Sequence, residues 1–365
     1  MTHHFPVMGK PRVVVFTPVY PPRKGGSATY FGNLVEKLKD RVDFTVITLE
    51  GENGNGDVDV RRVLPDRFSS SPPERYLSVL PSTFSALSRV RKEGRYIMHI
   101  HSNGIYGYSA SLYSRMKSIP ILKEVQDTSD PGWVLKSGKV HRWVATGRYV
   151  ERRLKGFSIP AERIITFPSI NPPSTERIAK ELKDVKKPDV TRFVYVGWLM
   201  NRVKGVDLLI RAFEKASEKS DMELIIIGDG PDRKELEDMA GSLPVDFTGE
   251  LPYRETLKKI AASHALVLPS HEEANPRVIL EAYSVSVPVI ATDVGGVSEE
   301  VTDGRTGILV PPDDVDELST ALLKMASERD MLDEMGSEGR RFLKGLPDWN
   351  ELSETIYENY LEMWG

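Results

Sequence analysis

The sequence predicts an α/β protein built from two parallel, doubly wound sheets, one in each half of the chain. Short apolar runs alternate with amphipathic stretches along nearly all of its 365 residues, the pattern of strand–helix–strand units. The alternation breaks once, after Pro168, at the polar, proline-flanked NPPSTERIAKELKDVKKPDV (171–190), and restarts at Thr191. The length suits two domains, each with its own core. These observations place a first domain at 1–175, a linker, and a second at 186–347, with a C-terminal helix over 348–365 packing back onto the first.

The first domain opens with RVVVFTPVY (12–20) as a buried strand, PPRKGG (21–26) as a tight loop, ATYFGNLVEKLKDR (28–41) as an amphipathic helix and VDFTVITL (42–49) as a second strand. YIMHIHS (96–102) reads as a strand, SASLYSRMKS (109–118) as a helix and PILKEVQ (120–126) as a strand. VHRWVATGRYVERRLKGF (140–157) then reads as one helix and RIITFP (163–168) as a short strand. In the second domain the strands are TRFVYVGWL (191–199), DMELIIIGDG (221–230), VDFTGEL (245–251), HALVLPS (264–270), VPVIAT (287–292) and GILVPP (307–312), with helical stretches between them. Ligands of such sheets bind beyond the carboxyl ends of the strands, so Gly25, Gly26, Trp198, Gly228, Gly230, Ser270 and Gly295 mark two rims, expected to face one cleft.

Composition removes several function classes. With no cysteine, disulfides, thiolate metal sites and cysteine nucleophiles are excluded. The apolar runs are strand-sized, and MTHHFPVMGKPR lacks the apolar core of a secretory signal, so cytoplasmic residence is expected. No G-x-G-x-x-G follows the first strand, against a dinucleotide oxidoreductase. Residues 1–180 carry 28 Lys and Arg against 16 Asp and Glu, and residues 181–365 carry 21 against 37. That division implies either an anionic partner for the basic half or mutual attraction of the two halves.

HEEANPRVILEA (271–282) places Glu273 and Glu281 eight positions apart, about 80° of helical rotation, so the two share no helix face. Pro276 suits a helix start, which leaves Glu273 in the loop after a strand and Glu281 on the helix, both at the carboxyl end of the sheet. A carboxylate accepts hydroxyl protons in short charge-assisted bonds, as a sugar or ribose diol requires. Glycine pairs at strand-to-helix turns let backbone N–H groups approach phosphates, or simply make the turn tight; Gly25–Gly26 and Gly295–Gly296 stand at such turns.

The run PSHEEANPRVILEAYSVSVPVIATDVGGVSEEVTDGRTGILVPPDD (269–314), with PPRKGG, HIH, YVGWLMNRVKGVDLLIRAF, IIIGDGP, FTGEL and WNELSETIYENYLEMW in that order, resembles the family 4 retaining glycosyltransferases (glycosyl transferases group 1), which have the GT-B fold of two Rossmann-like domains. The resemblance implies a hexose moved with retention from a nucleotide diphosphate sugar, UDP first and GDP next, to an acceptor hydroxyl on a saccharide or lipid. It implies no cofactor beyond the donor and no catalytic metal. Glu273 would hold donor sugar hydroxyls with the N–H groups of Ala274 and Asn275. Lys204 would bind the diphosphate and Glu281 the ribose. The chain departs from the family in having Trp198 at a usual arginine, for which Arg202 is the nearby substitute, Gln126 at a histidine beside the acceptor, Ser286 at a glycine, and Ala274–Asn275 for Gly-Phe. His101 or Asp127 could assume the role of that histidine.

Other readings stay open. A sugar-nucleotide-binding or regulatory protein without turnover is one; another GT-B enzyme, an epimerase or phosphorylase, is the other. His99 and His101 share a strand face, the minimum for a metal pair. Lys136, Lys139, Arg142, Arg148, Arg152, Arg153 and Lys155, with Trp133, Trp143 and Tyr149, read either as a solvated helix face or as a peripheral contact with an anionic membrane on its inner side. No nucleic-acid-binding module is recognisable.

Overall fold

The computed structural model describes residues 9–23, 25–49, 58–65, 75–126 and 130–365. The chain forms two compact units, one from Met1–Pro168 with Pro347–Gly365 and one from Ser169–Leu346.

In the first unit the order is β1 (Arg12–Phe16), α1 (Gly26–Leu38), β2 (Asp43–Leu49), β3 (Asp59–Leu64), α2 (Arg75–Lys92), β4 (Ile97–His101), α3 (Gly104–Lys117), β5 (Ile121–Val125), α4 (Gly132–Leu135), β6 (Val140–Thr146), α5 (Arg148–Gly156) and β7 (Ile164–Phe167). The strands form one parallel sheet ordered β3-β2-β1-β4-β5-β6-β7. Val13, Val14, Val15 and Phe16 are fully buried, as expected of a strand covered by helices on both faces.

The second unit continues with α6 (Thr175–Glu181), β8 (Thr191–Val196), α7 (Asn201–Lys204), α8 (Val206–Ser217), β9 (Met222–Ile227), α9 (Arg233–Ala240), β10 (Val245–Gly249), α10 (Tyr253–Ala261), β11 (Ala265–Leu268), α11 (Arg277–Ser284), β12 (Val289–Thr292), α12 (Val297–Glu300), β13 (Gly307–Val310), α13 (Val315–Ser327) and α14 (Arg329–Lys344). Its sheet is parallel, ordered β10-β9-β8-β11-β12-β13. The final helix, α15 (Trp349–Trp364), belongs to the first unit, where the Tyr360 hydroxyl lies 2.6 Å from His99 Nδ1 in full burial.

Each sheet reverses its winding once, between β1 and β4 in the first and between β8 and β11 in the second. Those are the two switch points beside which α/β sheets bind ligands.

Two readings change. VHRWVATGRYVERRLKGF is not one helix: β6 pairs with β5 and β7, Trp143 is buried with its Nε1 donating to Leu135 O at 3.0 Å, and Gly147 at φ 90° separates the strand from α5. Lys136, Lys139 and Arg142 therefore share no helix face with the basic residues of α5. Residues 169–175, placed in the first domain, and 176–185, read as linker, fold with the second unit, because Ile178 of α6 and Leu182 at its end enter that unit's core.

Candidate active site

At the switch point of the second sheet, β11 is followed by Pro269 and the buried Ser270, and the chain then turns back on itself. The N–H groups of His271 and Glu272 both bond Val203 O, at 2.9 and 3.3 Å. Thr292 Oγ1 donates to Ser270 O at 2.5 Å, and His271 Nδ1 lies 2.7 Å from Asp313. Close approach fixes the neighbouring turn: Gly205 has φ 59°, and a β-carbon there would stand 2.2 Å from Pro269 O.

So held, the loop presents Glu273 to Lys204, with Nζ 2.7 Å from Oε1; the two side chains are 9% and 24% exposed. Ser270 Oγ donates to the same Oε1 at 2.8 Å, and among the described residues Oε2 has no hydrogen-bond partner. The N–H groups of Ala274 and Asn275 likewise have no acceptor among the described residues. Gly295 and Gly296 sit behind this loop. Gly296 N donates to Glu273 O at 3.2 Å, so the pair supports the Glu273 main chain and the Gly296 N–H is engaged within the protein.

Glu281 lies on the second turn of α11, half-buried. Burial pushes its carboxyl up to about 7, with Arg277 opposing. Tyr253, whose hydroxyl is 2.6 Å from Thr175 Oγ1, is raised first by burial and then by Glu281, which places phenol and carboxylate together.

The structure adds residues that the pattern of the sequence does not single out. Glu300, 3% exposed, ends α12 beneath the loop. The Asn275 amide bridges to it: its NH2 donates to Glu300 Oε1 and to Ser169 Oγ (2.8 Å), and its oxygen accepts from Ser169 N (3.0 Å). Burial first, then the Glu273 and Glu299 charges, raise the Glu300 carboxyl well above its ordinary value. Tyr195 is fully buried and donates to Trp198 O at 3.2 Å; burial and then Glu273 raise its phenol. The Trp198 side chain is 54% exposed, and Arg202 is exposed on α7. Ser270 is already placed at the rim by the sequence, and the structure adds its bond to Glu273; Glu300 in SEEV reads as an ordinary acidic helix start.

In the first unit Gly25 has φ 123° and precedes α1, whose first turn carries no acid and whose cap makes no side-chain bond. His101 is buried with Nδ1 3.2 Å from Thr17 Oγ1. Gln126 follows β5, half-buried, its Nε2 without a partner among the described residues. Asp127 lies outside the described residues. His99 and His101 both pack on Phe31 but bond elsewhere, His99 through Nε2 to Glu124 Oε2 at 3.3 Å, so they make no metal pair. Among the described residues no group of three or more His, Asp or Glu is arranged for a metal ion, and no helix is long and apolar enough to cross a membrane.

Residues 176–342 match the family model described as glycosyl transferases group 1. An uncharacterized glycosyltransferase of Methanocaldococcus jannaschii is 24% identical over 96% of this chain and 98% of its own length. Among solved structures, sucrose-phosphate synthase from Thermosynechococcus elongatus superposes with a TM-score of 0.79 at 19% identity, covering 97% of this chain and 99% of that one. Anabaena HepE in complex with UDP-glucose superposes at 0.70 with 17% identity, covering 96% and 98%. With its two parallel sheets in the GT-B arrangement of strands and helices and its second unit matched over 176–342 by the glycosyl transferases group 1 model, the chain is a glycosyltransferase.

Proposed function

We propose that the protein transfers a hexose, with retention of configuration, from a nucleoside diphosphate sugar to an acceptor hydroxyl. The observation that carries this reading is the Lys204–Glu273 pair at the switch point of the second sheet. A cation beside a carboxylate with one free oxygen suits a donor that offers a diphosphate next to a polyol. Lys204 takes the diphosphate and stabilises the charge that develops on it as the anomeric C–O bond breaks. Glu273 Oε2 and the N–H groups of Ala274 and Asn275 hold the sugar hydroxyls, Glu281 accepts from the ribose, and Arg202 supplies the second cation in place of Trp198. The acceptor oxygen attacks from the face the leaving group departs, and its proton passes to the released phosphate oxygen. The basic first unit takes the acceptor, a saccharide or lipid, near Gln126, His101 and the α1 N-terminus with Gly25 and Gly26. UDP is the first base to test, since HepE is seen with UDP-glucose.

The test is thermal unfolding with UDP, GDP and ADP and their sugar conjugates, for the native chain and Glu281→Ala. Ligand at about 100 times its dissociation constant stabilises by roughly 2.7 kcal/mol. One base family should raise the midpoint in the native chain alone, and NMR of the product should then show the donor's anomeric configuration. No shift with any nucleotide sinks the reading. The exposed Trp198 favours one second reading, a binding protein without turnover; nucleotide release on adding an acceptor extract eliminates it.

A further inference from the structure

The first unit carries a pocket of about 580 Å³ at the amino ends of β4, β5 and β6, the opposite end of that sheet from Gln126 and His101. Arg91, Arg95, Lys117, Lys139 and His141 line its walls, and Tyr96, Ile119 and Met363, all buried, contribute its apolar floor. Its one acid, Glu362, is already engaged, with His141 Nε2 and Arg142 Nη2 each 3.3 Å from its carboxylate. Arg91 donates to Lys117 O at 3.2 Å, and the Arg95 guanidinium lies 5.0 Å from the Trp364 ring centre. The ammonium groups of Lys117 and Lys139 meet no acid among the described residues.

Two of these cations have an ordinary explanation, because Arg91 and Lys117 end α2 and α3 and complement the helix dipoles. Arg95, Lys139 and His141 lie outside any helix, so the dipoles do not account for them. Keeping like charges together around one concavity costs free energy that an anion would recover. Guanidinium forks and ammonium groups match a phosphate's oxygens, and the volume and apolar floor exceed what a bare phosphate fills.

We propose that this pocket binds a phosphoester, a phosphate carrying an organic group, either in solution or as the headgroup of an anionic lipid. The site is separate from the donor machinery. Five residues of β4, about 17 Å, lie between it and the carboxyl rim, so it anchors or regulates the enzyme without touching the transferred sugar. Met116, 61% exposed beside Lys117, would meet the acyl region if a lipid is the source.

The experiment uses the full chain with two probes, sn-glycerol 3-phosphate by calorimetry and vesicles of phosphatidylglycerol with phosphatidylcholine by co-sedimentation. Lys117→Glu with Lys139→Glu should weaken one or both by about tenfold or more. Lys180→Glu with Lys183→Glu, exposed in the second unit and of equal charge change, should not. Loss of glycerol phosphate binding identifies a soluble ligand; loss of vesicle binding alone identifies the headgroup. If neither probe binds the native chain, or the control pair loses as much, the proposal fails. Lys117→Gln with Lys139→Gln repeats the test should the reversed pair fold poorly.

Discussion

A β-carbon added to Gly295 would stand 1.6 Å from the carbonyl oxygen of Glu273. Gly295 also has φ 59°, so alanine there is opposed by backbone conformation and by a backbone atom that cannot rotate aside. Gly304, at φ 70° with nothing within 4 Å of an added β-carbon, carries only the conformational part. Gly304→Ala should cost about 1 kcal/mol in denaturant unfolding and Gly295→Ala at least about 2 kcal/mol more, with loss of nucleotide binding. Equal costs would show that the loop yields freely.

Lys204→Ala and Glu273→Gln separate chemistry from stability. The pair is partly solvated, so either change should alter unfolding by no more than about 1–2 kcal/mol. Under the proposed mechanism Lys204→Ala should lower kcat by about 10²–10³. A loss confined to KM would mean that Lys204 grips the ground state equally well.

Glu281 predicts a pH dependence of donor affinity. Its carboxyl titrates near 7, and only the carboxylate can accept from both ribose hydroxyls, so nucleotide binding should strengthen as pH rises through about 7 and level above it. Its contribution to stability runs the other way, present in full below the unfolded carboxyl range and lost as pH rises through about 7. Glu281→Gln should flatten both profiles, read by titration calorimetry and by denaturant midpoints across pH.

Glu300 should tolerate amide better than truncation. Because burial disfavours the charged carboxylate, Glu300→Gln, which keeps the shape and an acceptor oxygen, should change stability by less than about 1 kcal/mol. Glu300→Ala removes one of the two acceptors of the Asn275 amide and leaves a buried gap, and should cost about 2–3 kcal/mol. The raised carboxyl stabilises at low pH and loses that contribution as pH climbs through its folded range, so the native chain should weaken toward alkaline pH more than Glu300→Gln.

The alternation of apolar and amphipathic stretches was enough for the second sheet and for β1, β2, β4, β5 and β7 of the first, because strands buried on two faces leave continuous apolar runs such as VVVF and ELIII, whereas the half-buried edge strand β3, DVRRVL, leaves none and was passed over. It failed at β6, where Val140, Trp143, Val144 and Ala145 are buried amid exposed and half-buried basic residues, so that the run mimics an amphipathic helix until Gly147. The meeting of Lys204 with Glu273 depends on β8 pairing with β11, Phe193 with Ala265 and Val194 with Leu266. Nothing local announces that pairing; the family resemblance did. Glu300 stayed hidden because burial of an acid is a property of what folds over it.

Tyr360 and His99 meet across 261 positions of sequence, while every residue of the second unit falls in one uninterrupted span. On the ribosome, the second unit can therefore close as soon as residue 346 has emerged. The first unit, although translated earlier, keeps the socket for α15 open until residues 349–364 have emerged. Its early-made sheet waits with an uncovered apolar seam while the whole second unit is translated, so losing α15 should damage the unit that was made first.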